Sequence, residues 1–149
     1  MTAVMQPPIV EVLAPRAYDS REAVIEAIGQ VMIAAAAVTP AYVDGMRQKE
    51  LQGSTMVTHE VALPHGTRDV RGAVLQNVLV IAPIAGGVEW VPQSDVRLAI
   101  GFAGTGDAAH LRLLGSVARV LSDAALLQRL KAGDARADLA ALFSEATRT

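Results

Sequence analysis

Apolar residues recur along the chain with two different periods, and the change of period divides it into helices and strands. In "YDSREAVIEAIGQVMIAAAAV", Val24, Ile25, Ile28, Val31 and Met32 recur at helical spacing, so the segment predicts a helix with one buried face. Asp19, followed three residues later by Glu22, is the expected capping box at its start. In "TPAYVDGMRQKELQ", Thr39 is the expected N-cap and Pro40 the first helical residue. Val43 and Met46 give this second helix a shorter apolar stripe, and it should end near Leu51.

Beyond the turn-forming "QGST" the period shortens. "MVTHEVALPH" sets Val57, His59, Val61 and Leu63 on one side against Thr58, Glu60 and Ala62, the pattern of a short strand. Pro64 has no backbone N–H and biases Leu63 toward an extended conformation, so regular pairing should stop at about His65. "AVLQNVLVIAPI" and "SDVRLAIGFAG" are apolar runs bounded by turn formers and predict two central strands. The most apolar of these stretches is broken by Gln76, Asn77 and Pro83 and falls short of the ~20 residues a membrane-spanning helix needs.

"GTGDAAHLRLLGSVARVLSD" opens as a loop, with Asp107 the expected N-cap, and turns helical along a face of His110, Leu114, Val117 and Leu121. "DAALLQRLKAG" and "DARADLAALFSEA" are two closing helices, each begun by an aspartate and the first ended by Gly133. Helices before, between and after strands predict an α/β fold, with one sheet sandwiched by helices. No repeat or linker divides residues 1–149, and the chain reads as a single domain.

Charge and composition narrow the function. Thirteen basic and 15 acidic residues are interspersed, giving a formal charge of -2 and no broad field that would attract nucleic acid or an anionic membrane. With no cysteine, thiol nucleophiles, thiolate metal sites and disulfides are excluded. The opening "MTAVMQPPIVEVLAPR" lacks the pattern of a secretory signal, and a cytoplasmic location is expected.

The candidate chemistry rests on histidine. His65 stands in "VALPHGT" at a strand end, between a proline and a glycine that permits close approach of a partner. A neutral imidazole there, with one nitrogen held by a hydrogen bond, can accept a phosphoryl or acyl group near neutral pH. A polar residue in a tight turn satisfies the same local pattern equally well. His110, in the first turn of its helix, fits either an apolar stripe or a role beside an anion held at the helix N-terminus. Arg47 and Lys49 are explained by their favourable place near a helix C-terminus. His59 and Glu60 should lie on opposite strand faces and lack the H-E-x-x-H spacing, so no metal site is expected.

Three segments together resemble a known family. "VALPHGT" is similar to the [IV]-A-[LIV]-P-H-[GA] signature of the fructose/mannitol-type enzyme IIA domains of the bacterial phosphoenolpyruvate-dependent sugar phosphotransferase system. "PAYVDGMRQKE" resembles that family's Y-V-x-A-M-x-x-R-E helix, and "VRLAIGFAGTGDAAHLRLLGSVARVLSD" its segment bearing a second active-site histidine. The matches run in the family's order from about Arg21 to Leu130.

The resemblance implies a mixed, mostly parallel sheet between helices and a phosphoryl relay without cofactor or metal. His65 would accept the phosphoryl group from the histidine phosphocarrier protein HPr and pass it to an enzyme IIB cysteine of a membrane transporter. His110 would stabilise the phosphorylated form. Lys49 falls where the family carries arginine; it keeps the charge but loses the planar fork that grips two phosphate oxygens. "PHGT" is closer to the mannitol branch than to the fructose branch. A free-standing regulator switched by phosphorylation of His65 is the alternative.

Overall fold

The computed structural model describes residues 7–133. Its elements in chain order are strand β1 (Ile9–Val12), helices α1 (Arg21–Ala34) and α2 (Pro40–Gln52), strand β2 (Val61–Ala62), a 3-10 helix (Arg68–Ala73), strands β3 (Val78–Val88) and β4 (Val96–Ala103), and helices α3 (Asp107–Leu121) and α4 (Ala124–Lys131).

The sheet order is β1-β3-β4-β2. Its two outer pairs are parallel and its long central pair, β3 with β4, is antiparallel. Alternate residues of the central strands face opposite helical layers, as the twofold repeat of a strand requires. Val78, Val80, Ala82, Ala99 and Ala103 join the core under α1 and α2, whereas Leu79, Ile81, Leu98, Ile100 and Phe102 join the core under α3 and α4. Both faces are covered, which accounts for the nearly continuous apolar character of β3 and β4.

The helices form where the pattern predicted them, but several ends differ. α1 is capped by Ser20, whose Oγ accepts from the Ala23 N–H at 3.1 Å, and not by Asp19. Serine one place nearer the apolar run has the extended backbone and reach that the cap needs. α2 has Thr39 at its N-cap, Pro40 in its first turn, and Val43 and Met46 buried, as predicted. α4 is capped by Asp123 and followed by Gly133 at φ 78°, also as predicted. The closing segment "DARADLAALFSEA" lies outside the described residues.

The segment before His65 is less regular than its alternation suggested. Strand β2 contains two residues, Val57 and His59 are exposed, and Thr58 to Glu60 form a bend closed by Val57 and Thr58 N–H bonds to the Val61 carbonyl. Thr58 Oγ1 accepts from the Glu60 and Val61 N–H groups, a local alternative to strand pairing. Glu60 is exposed as well, so neither residue lies on a strand face. Pairing continues past the strand on the acceptor side alone, since the Pro64 carbonyl takes the Phe102 N–H at 3.1 Å.

α3 begins one place earlier than expected: Gly106 is its N-cap, at φ 152°, and Asp107 is already helical. Its buried face consists of Ala109, His110, Leu113, Ser116, Val117 and Val120. Leu114 is exposed and Leu121 half-buried, because α3 turns the next row of residues toward the sheet.

Candidate functional site

His65 follows directly from the edge of the sheet, and its backbone neighbours are fastened on two sides. The Tyr42 hydroxyl, buried beneath α2, donates to the Phe102 carbonyl and accepts from the Gly66 N–H, both at 2.9 Å. One side chain thus ties α2, β4 and the His65–Gly66 link together. Burial pushes the Tyr42 phenol up to about 12, so it stays protonated and keeps both bonds. Glycine is required at 66: a Cβ there would lie 2.8 Å from Tyr42 Cε1 and 2.9 Å from Val70 Cγ2.

The His65 ring is half-buried, and its Nδ1 lies 2.7 Å from the Leu63 carbonyl. A carbonyl only accepts, so Nδ1 carries the proton and Nε2 of the neutral ring keeps its lone pair. Burial is the main reason that the His65 pKa is lowered; the Leu63 bond opposes this, and the nearby charges of Lys49 and Arg71 add to it. The nucleophilic tautomer is therefore the dominant one at neutral pH.

His110 and Phe102 complete a ring cluster with His65. His65 lies 4.9 Å from Phe102 and Phe102 lies 5.0 Å from His110, between ring centres, while the two imidazoles meet edge to face at 5.4 Å. His110 is 8% exposed, and burial, together with Arg71 and His65, lowers its pKa to about 4. It is neutral at pH 7. Gly104 fixes its height, because a Cβ at 104 would stand 2.5 Å from the His110 backbone nitrogen. Asn77, buried at the start of β3, holds the same loop by accepting the Thr105 N–H at 2.9 Å.

The structure thus brings together His65, His110 and the electrostatic influence of Lys49. It leaves out Arg47, which pairs with Glu26 and Asp44 on the outer side of α2, and His59. Two contributors escaped the sequence reading. Tyr42 is one; Arg71, whose charge reaches Tyr42, His65 and His110, is the other. The available signal for Arg71 was the pair Arg68 and Arg71, one helical turn apart directly after "PHGT". Glu50, beside Lys49, is buried and spent on structure, accepting from the Thr55 N–H and hydroxyl at 2.8 and 2.6 Å. Among the described residues no three His, Cys, Asp or Glu side chains gather to hold a metal ion.

The site so defined is a neutral imidazole at the edge of a helix-flanked mixed sheet, within reach of the charges of Lys49 and Arg71. Comparison with known proteins gives the particular family. Residues 10–146 match the family model described as phosphoenolpyruvate-dependent sugar phosphotransferase system, EIIA 2. The chain is 32% identical over 127 residues to the mannitol-specific phosphotransferase enzyme IIA component of Bacillus subtilis (strain 168), covering 85% of this chain and 88% of the relative. It is 36% identical over 124 residues, 83% of its length, to the multiphosphoryl transfer protein of Salmonella typhimurium, and spans 33% of that longer relative. The fold matches enzyme IIA in the solved complex of enzyme IIAMTL and phosphorylated enzyme IIBMTL from Escherichia coli, with a TM-score of 0.80, 23% identity, and 91% of this chain and 94% of that chain covered. The chain belongs to the type 2 enzyme IIA family of the phosphoenolpyruvate-dependent sugar phosphotransferase system.

Proposed function

We propose that this protein is a cytoplasmic phosphoryl carrier of the mannitol type, loaded on His65 by phospho-HPr and unloaded to a cysteine of an enzyme IIB, serving uptake of mannitol or a related polyol or fructose. The observation that carries the reading is the 2.7 Å bond from Nδ1–H of His65 to the Leu63 carbonyl, which leaves Nε2 as the free nucleophile.

In loading, the Nε2 lone pair attacks the phosphorus of the donor phosphohistidine. The donor N–P bond breaks and its electron pair returns to the donor imidazole. Nε2 has no proton to lose, and Nδ1 keeps its own. In unloading, a thiolate sulfur takes the phosphorus and the pair returns to Nε2. Such a reaction needs alignment and charge compensation more than covalent help. Lys49 supplies a cation, and neutral His110 supplies a ring N–H for a phosphoryl oxygen. A unit charge at ~4 Å is worth ~4 kcal/mol at an effective dielectric near 20. Leu111, next to His110 and 66% exposed, offers apolar surface to a docking partner, with the charges of Arg68 and Asp107 at the rim.

The test is incubation with phosphoenolpyruvate, enzyme I and HPr. Acid-labile label is expected on the wild-type chain and absent from His65→Ala, and it should pass to an added mannitol-type enzyme IIB. No label on the wild-type chain refutes the proposal, and label that passes to no enzyme IIB points to a regulatory role.

A further inference from the structure

Lys49 provides charge without the planar fork of arginine, which leaves the question of which group grips the phosphoryl oxygens. The 3-10 helix after His65 carries two arginines that meet one carboxylate. Arg71 Nη1 bonds Asp107 Oδ1, and Arg68 Nη2 bonds Asp107 Oδ2 at 3.0 Å. Asp107 is the first residue of α3, one turn before His110, so its partners sit at the end of the helix that carries His110, and the charge of Arg71 acts on both histidines.

The two arginines are not equivalent. The Arg68 side chain is 80% exposed, whereas that of Arg71 is 20% exposed and its Nε is fully buried with no hydrogen-bond partner. A buried guanidinium N–H without an acceptor is uncommon in folded proteins, because its lost hydration is uncompensated. An anion arriving at His65 would supply the missing acceptor. Val70 holds the helix in place, packing between Gly45 of α2 and Gly66, where an added Cβ would lie 2.3 and 2.9 Å from its Cγ2.

We propose that Arg71 is the guanidinium that grips the phosphoryl group on His65, with Asp107 occupying one of its amino groups while the histidine is bare. Loading then exchanges one anion for another: Arg71 turns its Nε–H and an Nη–H toward two phosphoryl oxygens, and Arg68 retains the Asp107 carboxylate. No covalent bond changes beyond the transfer to Nε2. Arg71 thereby supplies from the 3-10 helix the bidentate fork that Lys49 lacks. Electrostatics agree, since the positive charge of Arg71 disfavours protonation of both histidines.

The inference rests on His65 being the phosphoryl acceptor, and the experiment separates the two. Initial rates of loading are measured against HPr concentration for the full chain and for Arg71→Lys, Arg71→Gln and Asp107→Asn, with a 31P titration of each loaded protein. Arg71→Gln should lower kcat by ~100-fold or more, the usual effect of removing a preorganised donor to a developing anion, with KM little changed. It should also raise the pH at which the phosphoryl group titrates. Arg71→Lys should restore that titration and leave the rate low, because it returns charge without the fork. Asp107→Asn breaks the same ion pair yet leaves the guanidinium, so it should slow loading far less than Arg71→Gln. Equal losses in Arg71→Gln and Asp107→Asn would overturn the proposal in favour of a mere brace, as would wild-type rates and phosphoryl titration in Arg71→Gln. A wild-type chain that takes no label would instead sink the phosphocarrier reading itself.

Discussion

Replacing Tyr42 by Phe removes one oxygen and keeps the ring that fills the core beneath α2. That oxygen is the acceptor for the Gly66 N–H and the donor to the Phe102 carbonyl, both at 2.9 Å, in a side chain that is 1% exposed. The lost bonds are worth ~1 kcal/mol each in net terms, and an amide left buried without an acceptor costs ~1–3 kcal/mol. These contributions overlap, so a loss of about 2–3 kcal/mol is expected, corresponding to a Tm lower by roughly 4–12 °C for a chain of this size. Urea unfolding followed by two probes measures the stability, with an unchanged m-value as the check on cooperativity. Hydrogen exchange at Gly66 reads the local consequence, and its amide should lose protection more than the amides of β3. The loading rate should fall too, because His65 is attached to the released glycine. A stability loss under ~0.5 kcal/mol with Gly66 still protected would refute the bridging role of the hydroxyl.

Further predictions concern the neutral histidine and the packing of the 3-10 helix. With its folded pKa at about 4 and an unfolded value near 6.5, His110 binds fewer protons folded than unfolded between those limits, so stability should decline as pH falls from 6.5 to 4. The full gap is worth at most ~3 kcal/mol, which solvent at the cleft cuts to roughly 1–2 kcal/mol. Urea midpoints of wild type and His110→Gln across this window check the value, and a His110 ring that titrates near 6.5 by NMR would contradict it. Gly45→Ala should destabilise by about 1–2 kcal/mol even though alanine is the better helix former by ~1 kcal/mol, because the new Cβ would stand 2.3 Å from Val70 Cγ2. A raised urea midpoint in that variant would show that the 3-10 helix is free to move.

The parts legible in the sequence are those set by neighbouring residues. The apolar stripe of α1, Pro40 in the first turn of α2, and Asp123 and Gly133 around α4 are local signals, and each corresponds to what the chain does. His65 was likewise marked by its flanking proline and glycine. What escaped is held by distant partners. β1 is four half-buried residues with no period of their own, fixed by hydrogen bonds to β3 nearly seventy residues later. The 3-10 helix has no fully buried residue and is placed by Val70 wedged against two glycines, so the spacing of Arg68 and Arg71 was the one sign its own sequence gave of Arg71 as a neighbour of the histidines. The role of the Tyr42 hydroxyl left no local trace, since its acceptor and donor lie 60 and 24 residues away. The Thr58 turn won over strand alternation before Val61 because threonine offered the backbone a nearer acceptor.

The bond from His65 Nδ1–H to the Leu63 carbonyl also has a bearing on regiochemistry. An imidazole offers two positional isomers to any incoming electrophile, and free histidine forms both. Here a backbone carbonyl two residues back occupies one nitrogen, which leaves the other for the phosphoryl transfer we propose. On that proposal the product is a single isomer, selected by the main chain before a partner docks. No side chain is needed to enforce that choice, and mutation of the surrounding residues leaves it intact for as long as the chain keeps its turn at Pro64.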